Sequence, residues 1–447
     1  MSAINLCLAI HEPYCLRRYT IFDIGESSVY EDDDRSCHMA MYYAKHCYLP
    51  TFDILYRLIK RYSGDFVFSL SISDSALDLF EQYTPEVLDN LRAMAETGCV
   101  EFIGEPGPHT LAFIYAKEEF IHQVNDHSKR IESLFGKMPT SFRNSELLYN
   151  NEIAQSIEQI GFTTILSEGA KEILGWRSPN FVYAASVAPS IRLLLRNPEL
   201  SSNVSQRFSE KSWSEWPLTA EKYAEWLVGT SENSDCINLF FDCHAFGLRN
   251  RRRSGIFDFL ENLPRAVFAH KPALSFMTPR HIVKKYDFKD SLTIPNLISW
   301  NDEGSDIRGW LGNEMQKDAL TNVYQLSHRV RALNDAELLK DYTRLQTSDY
   351  FHYMSTRWFS ESQPDRPNPY LSPYDAYISY MNMLKDFEHR LLLEEESKKK
   401  SQLEAEREDD KSPKTQVKSQ AKRQGRGKVQ AVSIDAMSGR LAARDDA

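Results

Sequence analysis

Short apolar runs of strand length, each separated from the next by a helical pattern, recur from the N-terminus to about residue 290. That rhythm restricts the fold more than any other feature of the chain. The runs are residues 4–10, 66–72, 100–103, 163–166 and 237–241; a helical stretch at 55–62 precedes the second, and a helix opening at Thr84 with Pro85 in its first turn precedes the third. Strand–helix alternation at this spacing implies parallel strands joined by crossovers. Sustained over so long a stretch, it predicts a closed or nearly closed α/β barrel. The polar residues His11, Glu101, Glu105, His109 and Asp242 fall at the downstream ends of the runs, where barrel enzymes carry their chemistry.

Beyond about Asp306 the apolar residues repeat at three and four. WLGNEMQKDALTNVYQLSHRVRAL, DAELLKDYTRLQTSDYFHYM and PYDAYISYMNMLKDFEHRLLLEEE therefore read as helices packed beside the barrel. Past Glu395 the composition turns to Lys, Glu, Gln, Ser and Ala, and residues 411–428 hold seven Lys/Arg and no acid. Such a segment cannot bury enough apolar surface to fold alone. The expected organisation is a barrel at 1–290, a helical domain at 291–395 and a disordered charged tail at 396–447.

Composition narrows the function. A formal net charge of −10 argues against nucleic acid as a partner, because a phosphate backbone needs a basic face. The seven cysteines contain no CxxC pair, so neither a disulfide framework nor a zinc ribbon follows. His38 and His46 flank Cys37 and Cys47 at a spacing that fits no standard metal site. The opening MSAINLCLAIHEPY lacks a basic leader and reads as a first strand rather than a signal peptide. No run of about eighteen apolar residues predicts a membrane span. A cytoplasmic protein with no cofactor and no metal is expected. Phe, Tyr and Trp number 24, 22 and 7, which provides for sugar-stacking surfaces as well as a core.

Two carboxylates stand out. Glu146 lies in SFRNSELLYNN, three residues after Arg143, a context that keeps a carboxylate ionised. Asp242 ends the most apolar run, INLFFD, where burial raises a carboxyl toward use as an acid. One nucleophile and one acid/base, about 5–5.5 Å apart, are what glycoside hydrolysis with retention needs.

These residues sit in segments that resemble glycoside hydrolase family 57, and within it the α-amylase group. HEPY (11–14) is similar to the family's His-Gln-Pro motif, GCVEFIGE (98–105) to its Gly-x-x-Glu motif, FRNSELLYNN to the nucleophile motif and LFFDCHAFG to the acid/base motif. LQTSDYFHYM followed by SPYDAYISYMNML resembles its helical fifth region. The resemblance runs from about residue 4 to 390. It implies an incomplete (β/α)7 TIM-like barrel with a C-terminal helical bundle, and a metal-free retaining glycosidase acting on α-1,4-glucans by hydrolysis or transglycosylation. Glu146 becomes the nucleophile and Asp242 the acid/base. His11, Glu101, His109, His244 and Asp349 become substrate-side residues, and Trp176, Trp300 and Trp310 candidates for glucan stacking. Trp213 and Trp216 are further stacking candidates.

The chain also departs from the family. Glu12 stands at the usual Gln, His244 at the usual Glu two residues after the acid/base, and Gly107-Pro108 at an expected Tyr-Tyr. Arg249 and Arg251–Arg253 follow the acid/base motif. Together with His244 they would favour the ionised form of Asp242 and oppose its acid role. The alternative to an active amylase or glucanotransferase is accordingly a catalytically impaired, α-amylase-like glucan-binding protein.

Overall fold

The computed structural model describes residues 2–300, 306–357 and 368–411. Seven parallel strands form its centre: β1 (Ser2–Ile10), β2 (Phe68–Ile72), β3 (Val100–Ile103), β4 (Ser141–Arg143), β5 (Thr164–Glu168), β6 (Ala188–Arg196) and β7 (Cys236–Asp242). Each pairs in parallel with the next, and β7 returns to β1 over seven residues, Ala3↔Cys236 through Ala9↔Asp242. The ring is thin at two seams. β3 meets β4 only through the Gly104↔Phe142 bridge, and β6 meets β7 at the single pair Arg196↔Asn238. This is an incomplete (β/α)7 TIM-like barrel with a helical C-terminal region. Five of its strands are the runs read from sequence; β4 and β6 are additional.

The pleat sorts side chains between the inside and the outside of the ring. On β1, Ile4, Leu6, Leu8 and Ile10 face outward into the largest core cluster, with Leu70 and Ile72 of β2 and Leu239 and Phe241 of β7. Helices Leu49–Tyr62, Pro85–Glu96, Ala220–Ser231 and Ile256–Phe268 cover them. The inward positions are small or polar. Asn5 meets Asn238 at 3.3 Å and accepts from Ser69 at 2.8 Å, while Ala3, Cys7, Ala9 and Phe240 fill a small inner cluster. Continuing this inward parity past the strand ends gives His11 on β1, Ser73 on β2, Glu105 on β3 and Asp242 on β7. One face of the pleat thus delivers the site.

Side-chain caps fix where the crossover helices begin. Asn150 accepts from Ile153 N at 3.1 Å to open Asn151–Gln159, and Thr219 accepts from Lys222 N at 3.2 Å to open Ala220–Ser231. Helices Glu314–Gln325, Ala336–Leu345 and the start of Pro373–Lys411 pack on the β4–β6 side through Leu320, Tyr342, Leu345, Tyr380 and Phe387.

Met1–Glu395 form one compact unit and Glu396–Ala447 a second. Within the expected tail, residues 396–411 continue the helix Pro373–Lys411; residues 412–447 lie outside the described residues. Among the described residues, no helix is long and apolar enough to cross a membrane.

Candidate active site

Glu146 lies just beyond β4, in the tight turn Ser145–Leu147. Its φ is +53°, and that of Leu147 is +51°. Left-handed conformations at non-glycine residues cost about 1–3 kcal/mol each and persist where the surroundings hold them. Trp300 Nε1 donates to Glu146 Oε2 at 2.7 Å, Trp300 N donates to the Glu146 carbonyl at 3.2 Å, and His109 Nε2 lies 3.0 Å from Oε1. The turn is left-handed, so the carboxylate leaves the line of the strand and meets donors from two distant segments.

His109 has the same kind of backbone, with φ +57°. Gly107 makes its turn possible, because a Cβ there would lie 1.6 Å from Asp74 Oδ2. The drifted Gly107-Pro108 therefore reshapes this loop tightly against the helix Asp74–Tyr83. Burial pushes the His109 imidazole down, but Glu105 and Glu146 outweigh it and leave it above its ordinary 6.5.

Arg143 does not play the role its spacing suggests. Its fully buried guanidinium goes to Glu105 Oε2 at 2.7 Å, Ser71 Oγ at 2.7 Å and the Asn144 carbonyl at 3.4 Å. Glu105 also accepts from Ser71 Oγ and lies 3.8 Å from His109 Nδ1. Burial alone would raise the Glu105 carboxyl, yet Arg143 and then His109 bring it down to about 2. Arg143 thus meets Glu105, which neighbours His109, which in turn meets Glu146, a layer that proximity in sequence does not reveal.

The first-strand end completes this half of the cleft. The His11 ring stacks on His109 at 3.9 Å between centroids and 16° between planes. Its Nδ1 meets Ser73 Oγ at 2.9 Å, and its Nε2 lies 2.7 Å from Asp349 Oδ2. Asp349 comes from the short helix Ser348–His352, which the Thr110↔Thr347 bridge ties to the His109 loop.

Asp242, the last residue of β7, is buried and accepts from His244 N at 3.1 Å; Arg249 Nη2 lies 4.0 Å from its Oδ2. His244 pairs with Glu12 at 2.6 Å. The other arginines of the cluster, Arg251–Arg253, are exposed, so Arg249 is the member that comes near Asp242. Trp300 reaches from Glu146 to the strand that carries Asp242. It bonds Glu146 and packs edge-on against Phe240 at 5.4 Å, and Phe240 lies one pleat repeat below Asp242 on the same inward face. Both carboxylates lie at the C-terminal ends of their strands, Glu146 just past β4 and Asp242 at the end of β7.

Several nominated residues stand elsewhere or act differently. Glu101 faces the interior, but about 13 Å lower along β3 than Glu105; it accepts from Ser141 Oγ at 2.5 Å and Arg280 N at 3.1 Å. Glu105, not Glu101, is the β3 carboxylate at the cleft. Trp176 is 90% exposed with Arg177 over its ring, and Trp310 is 3% exposed within the core cluster of the helical region. Trp300 is present at the cleft, where its indole N–H serves Glu146. Trp213 packs against Trp226, whereas Trp216 is exposed. Among the other nearby acids, Glu168 forks Arg196 at 3.0 and 3.3 Å and Glu152 is exposed. No cluster of three His, Cys, Asp or Glu side chains able to hold a metal occurs among the described residues.

Residues 5–295 match glycosyl hydrolase family 57. The chain belongs to this family. A relative in Methanocaldococcus jannaschii named "Putative alpha-amylase" is 36% identical over 358 residues, 77% of this chain and 75% of the relative. Among solved structures, a family 57 branching enzyme of Thermococcus kodakaraensis in complex with glucose superposes with a TM-score of 0.64 at 13% identity, over 87% of this chain and 90% of that one. The 4-α-glucanotransferase of Thermococcus litoralis gives 0.61 at 13% identity over 78% of this chain, which spans just over half of that enzyme, 56%. At these identities the structural likeness establishes the barrel. The family establishes a glycosidase-type enzyme.

Proposed function

We propose that this family 57 member is a retaining glycosidase of the α-amylase type acting on α-1,4-glucans, with transglycosylation as an accessible outcome. Glu146 attacks the anomeric carbon, and Asp242 protonates the leaving oxygen and then activates water or an acceptor hydroxyl. The observation that carries the reading is the treatment of Glu146. It is strained in backbone, held on both oxygens by His109 and Trp300, and backed by a buried Arg143–Glu105 pair. A carboxylate oriented on both oxygens is prepared for attack. His11, His109 and Asp349 line the sugar-binding side, and the α-amylase name of the relative points to an α-glucan substrate.

Arg249 favours a second reading, an impaired glucan-binding protein, because a cation 4.0 Å from Asp242 opposes its protonation. Incubation with maltoheptaose separates the two. Shorter products report hydrolysis and longer ones transfer; binding without either product supports the impaired protein.

A further inference from the structure

We infer that Glu12 is a positioning residue for Asp242: its ion pair with His244, clamped by Tyr48, fixes the backbone N–H that orients the acid/base carboxyl. The inference rests on the reading of Asp242 as acid/base.

Glu12 follows β1 and is buried, so its carboxylate requires partners. Oε1 accepts from the Tyr48 hydroxyl and lies 2.6 Å from His244 Nε2, and Tyr48 in turn lies 3.0 Å from the same nitrogen. Burial first, and then Glu12, push the Tyr48 phenol far up, so it remains a donor. The His244 ring also packs against Tyr43 at 4.8 Å. With ring and tip both held, the backbone of His244 is fixed. Its N–H donates to Asp242 Oδ1, which leaves Oδ2 directed toward Arg249.

The clamp is supported from beneath. Ala44–Tyr48 is a π-helical turn, a feature frequent at functional sites. Cys47 Sγ donates to the Cys243 carbonyl at 3.1 Å, a second tie between this turn and the residues after Asp242. Gly247, at φ +108°, closes the far side, since a Cβ there would lie 2.0 Å from the His46 carbonyl. Among the described residues, the groups around Asp242 and His244 include Glu12 just past β1, Tyr43 at the end of the helix Asp33–Tyr43, Cys47 and Tyr48 from the turn, and Cys243 and Arg249 from the following loop.

Glu12 also balances the charge His244 carries when protonated, so His244 does not act on Asp242 as a lone cation. Positions 12 and 244 both depart from the family's usual residues, and they are in contact. His244→Glu alone therefore sets two carboxylates against each other instead of restoring a working acid.

The test compares Glu12→Ala, His244→Glu and the exchange Glu12→Gln/His244→Glu on two substrates. Maltoheptaose needs the acid; a nitrophenyl maltoside with a good leaving group needs it little. A misplaced acid predicts about a hundredfold loss in kcat/KM on maltoheptaose for Glu12→Ala, with kcat/KM on the aryl substrate, which reports only the first step, within about threefold of wild type. His244→Glu loses activity on maltoheptaose, and the exchange recovers to within about tenfold of wild type. The His244 ring titrates at lower pH by NMR in Glu12→Gln, and a crystal structure of Glu12→Ala shows Asp242 Oδ1 released from His244 N. If Glu12→Ala does not fold, Tyr48→Phe removes one tie and predicts about a tenfold loss confined to maltoheptaose. Equal losses on both substrates, or an exchange no better than its worse single variant, overturn the inference. Absence of all turnover in wild type counts against the enzyme reading; an unmoved Asp242 in Glu12→Ala counts against the inference, whatever the turnover.

Discussion

Glu105→Gln removes the buried charge that pairs with Arg143 while keeping the shape of the side chain. A carboxyl brought from 4.5 to about 2 contributes about 3 kcal/mol to folding at neutral pH. Removing one partner of a buried pair costs about 3–5 kcal/mol by an independent measure, because the other charge is left uncompensated. Both figures lie below the roughly 5–15 kcal/mol stability of a folded domain, so the variant remains folded. The sign of the pH dependence follows from the lowered value. The contribution is complete above the unfolded value near 4.5 and is lost as pH falls through about 2. Equilibrium urea unfolding of wild type and Glu105→Gln at pH 7 and at pH 3 reads this directly. A deficit of about 3 kcal/mol at pH 7 that shrinks at pH 3 is expected. A deficit under about 1 kcal/mol at pH 7, or one equal at both pH values, refutes the electrostatic account of this layer.

Three more predictions concern residues around the cleft. Trp300→Phe deletes a hydrogen bond to a charged oxygen worth about 1.5–3 kcal/mol, so kcat/KM on maltoheptaose falls about 10- to 150-fold; an unchanged value removes Trp300 from the site. His109→Asn takes away the cation beside Glu146, and the acidic limb of the pH–rate profile moves upward. Because the His109 value is raised, its stabilisation is complete below about 6.5 and lost as pH rises through the raised value, so wild type loses its advantage over the variant on the alkaline side. A gap that widens with pH contradicts this. Trp176→Ala, at an exposed position away from the carboxylates, leaves KM for maltoheptaose within about twofold; a tenfold rise shows that Trp176 stacks on substrate.

Much of the barrel was legible because its outer face is written in long apolar runs. β1 and β7 read as strands at once, and their ends delivered His11 and Asp242. β4 was not legible, since Ser-Phe-Arg is too short to show a period, and β6 is interrupted by Pro189 and Ser190. Motif resemblance marked Glu146, but not the groups that hold its carboxylate, His109 and Trp300. Spacing along the chain placed Arg143 near, while the left-handed turn at Glu146 sent the two side chains to different partners. Glu101 and Glu105 share the inward parity of β3, but they differ in depth, and only Glu105 reaches the C-terminal end, a difference the motif does not show. Contacts such as Glu12 with His244, 232 residues apart, leave no local pattern at all. The polar alternation Ser69, Ser71, Ser73 on β2 was the one available sign of an inward polar face, and it bears on both the Arg143 and His11 contacts.

The central claim is that Glu146 forms the covalent glycosyl intermediate of a retaining mechanism. Its most direct measurement is mass spectrometry of the protein after reaction with an activated fluoro-maltosyl donor. The account predicts one glycosyl adduct on the peptide containing Glu146, absent in Glu146→Gln. An adduct on Glu105, Glu168 or any other carboxylate, or turnover of the donor with inverted product, contradicts it.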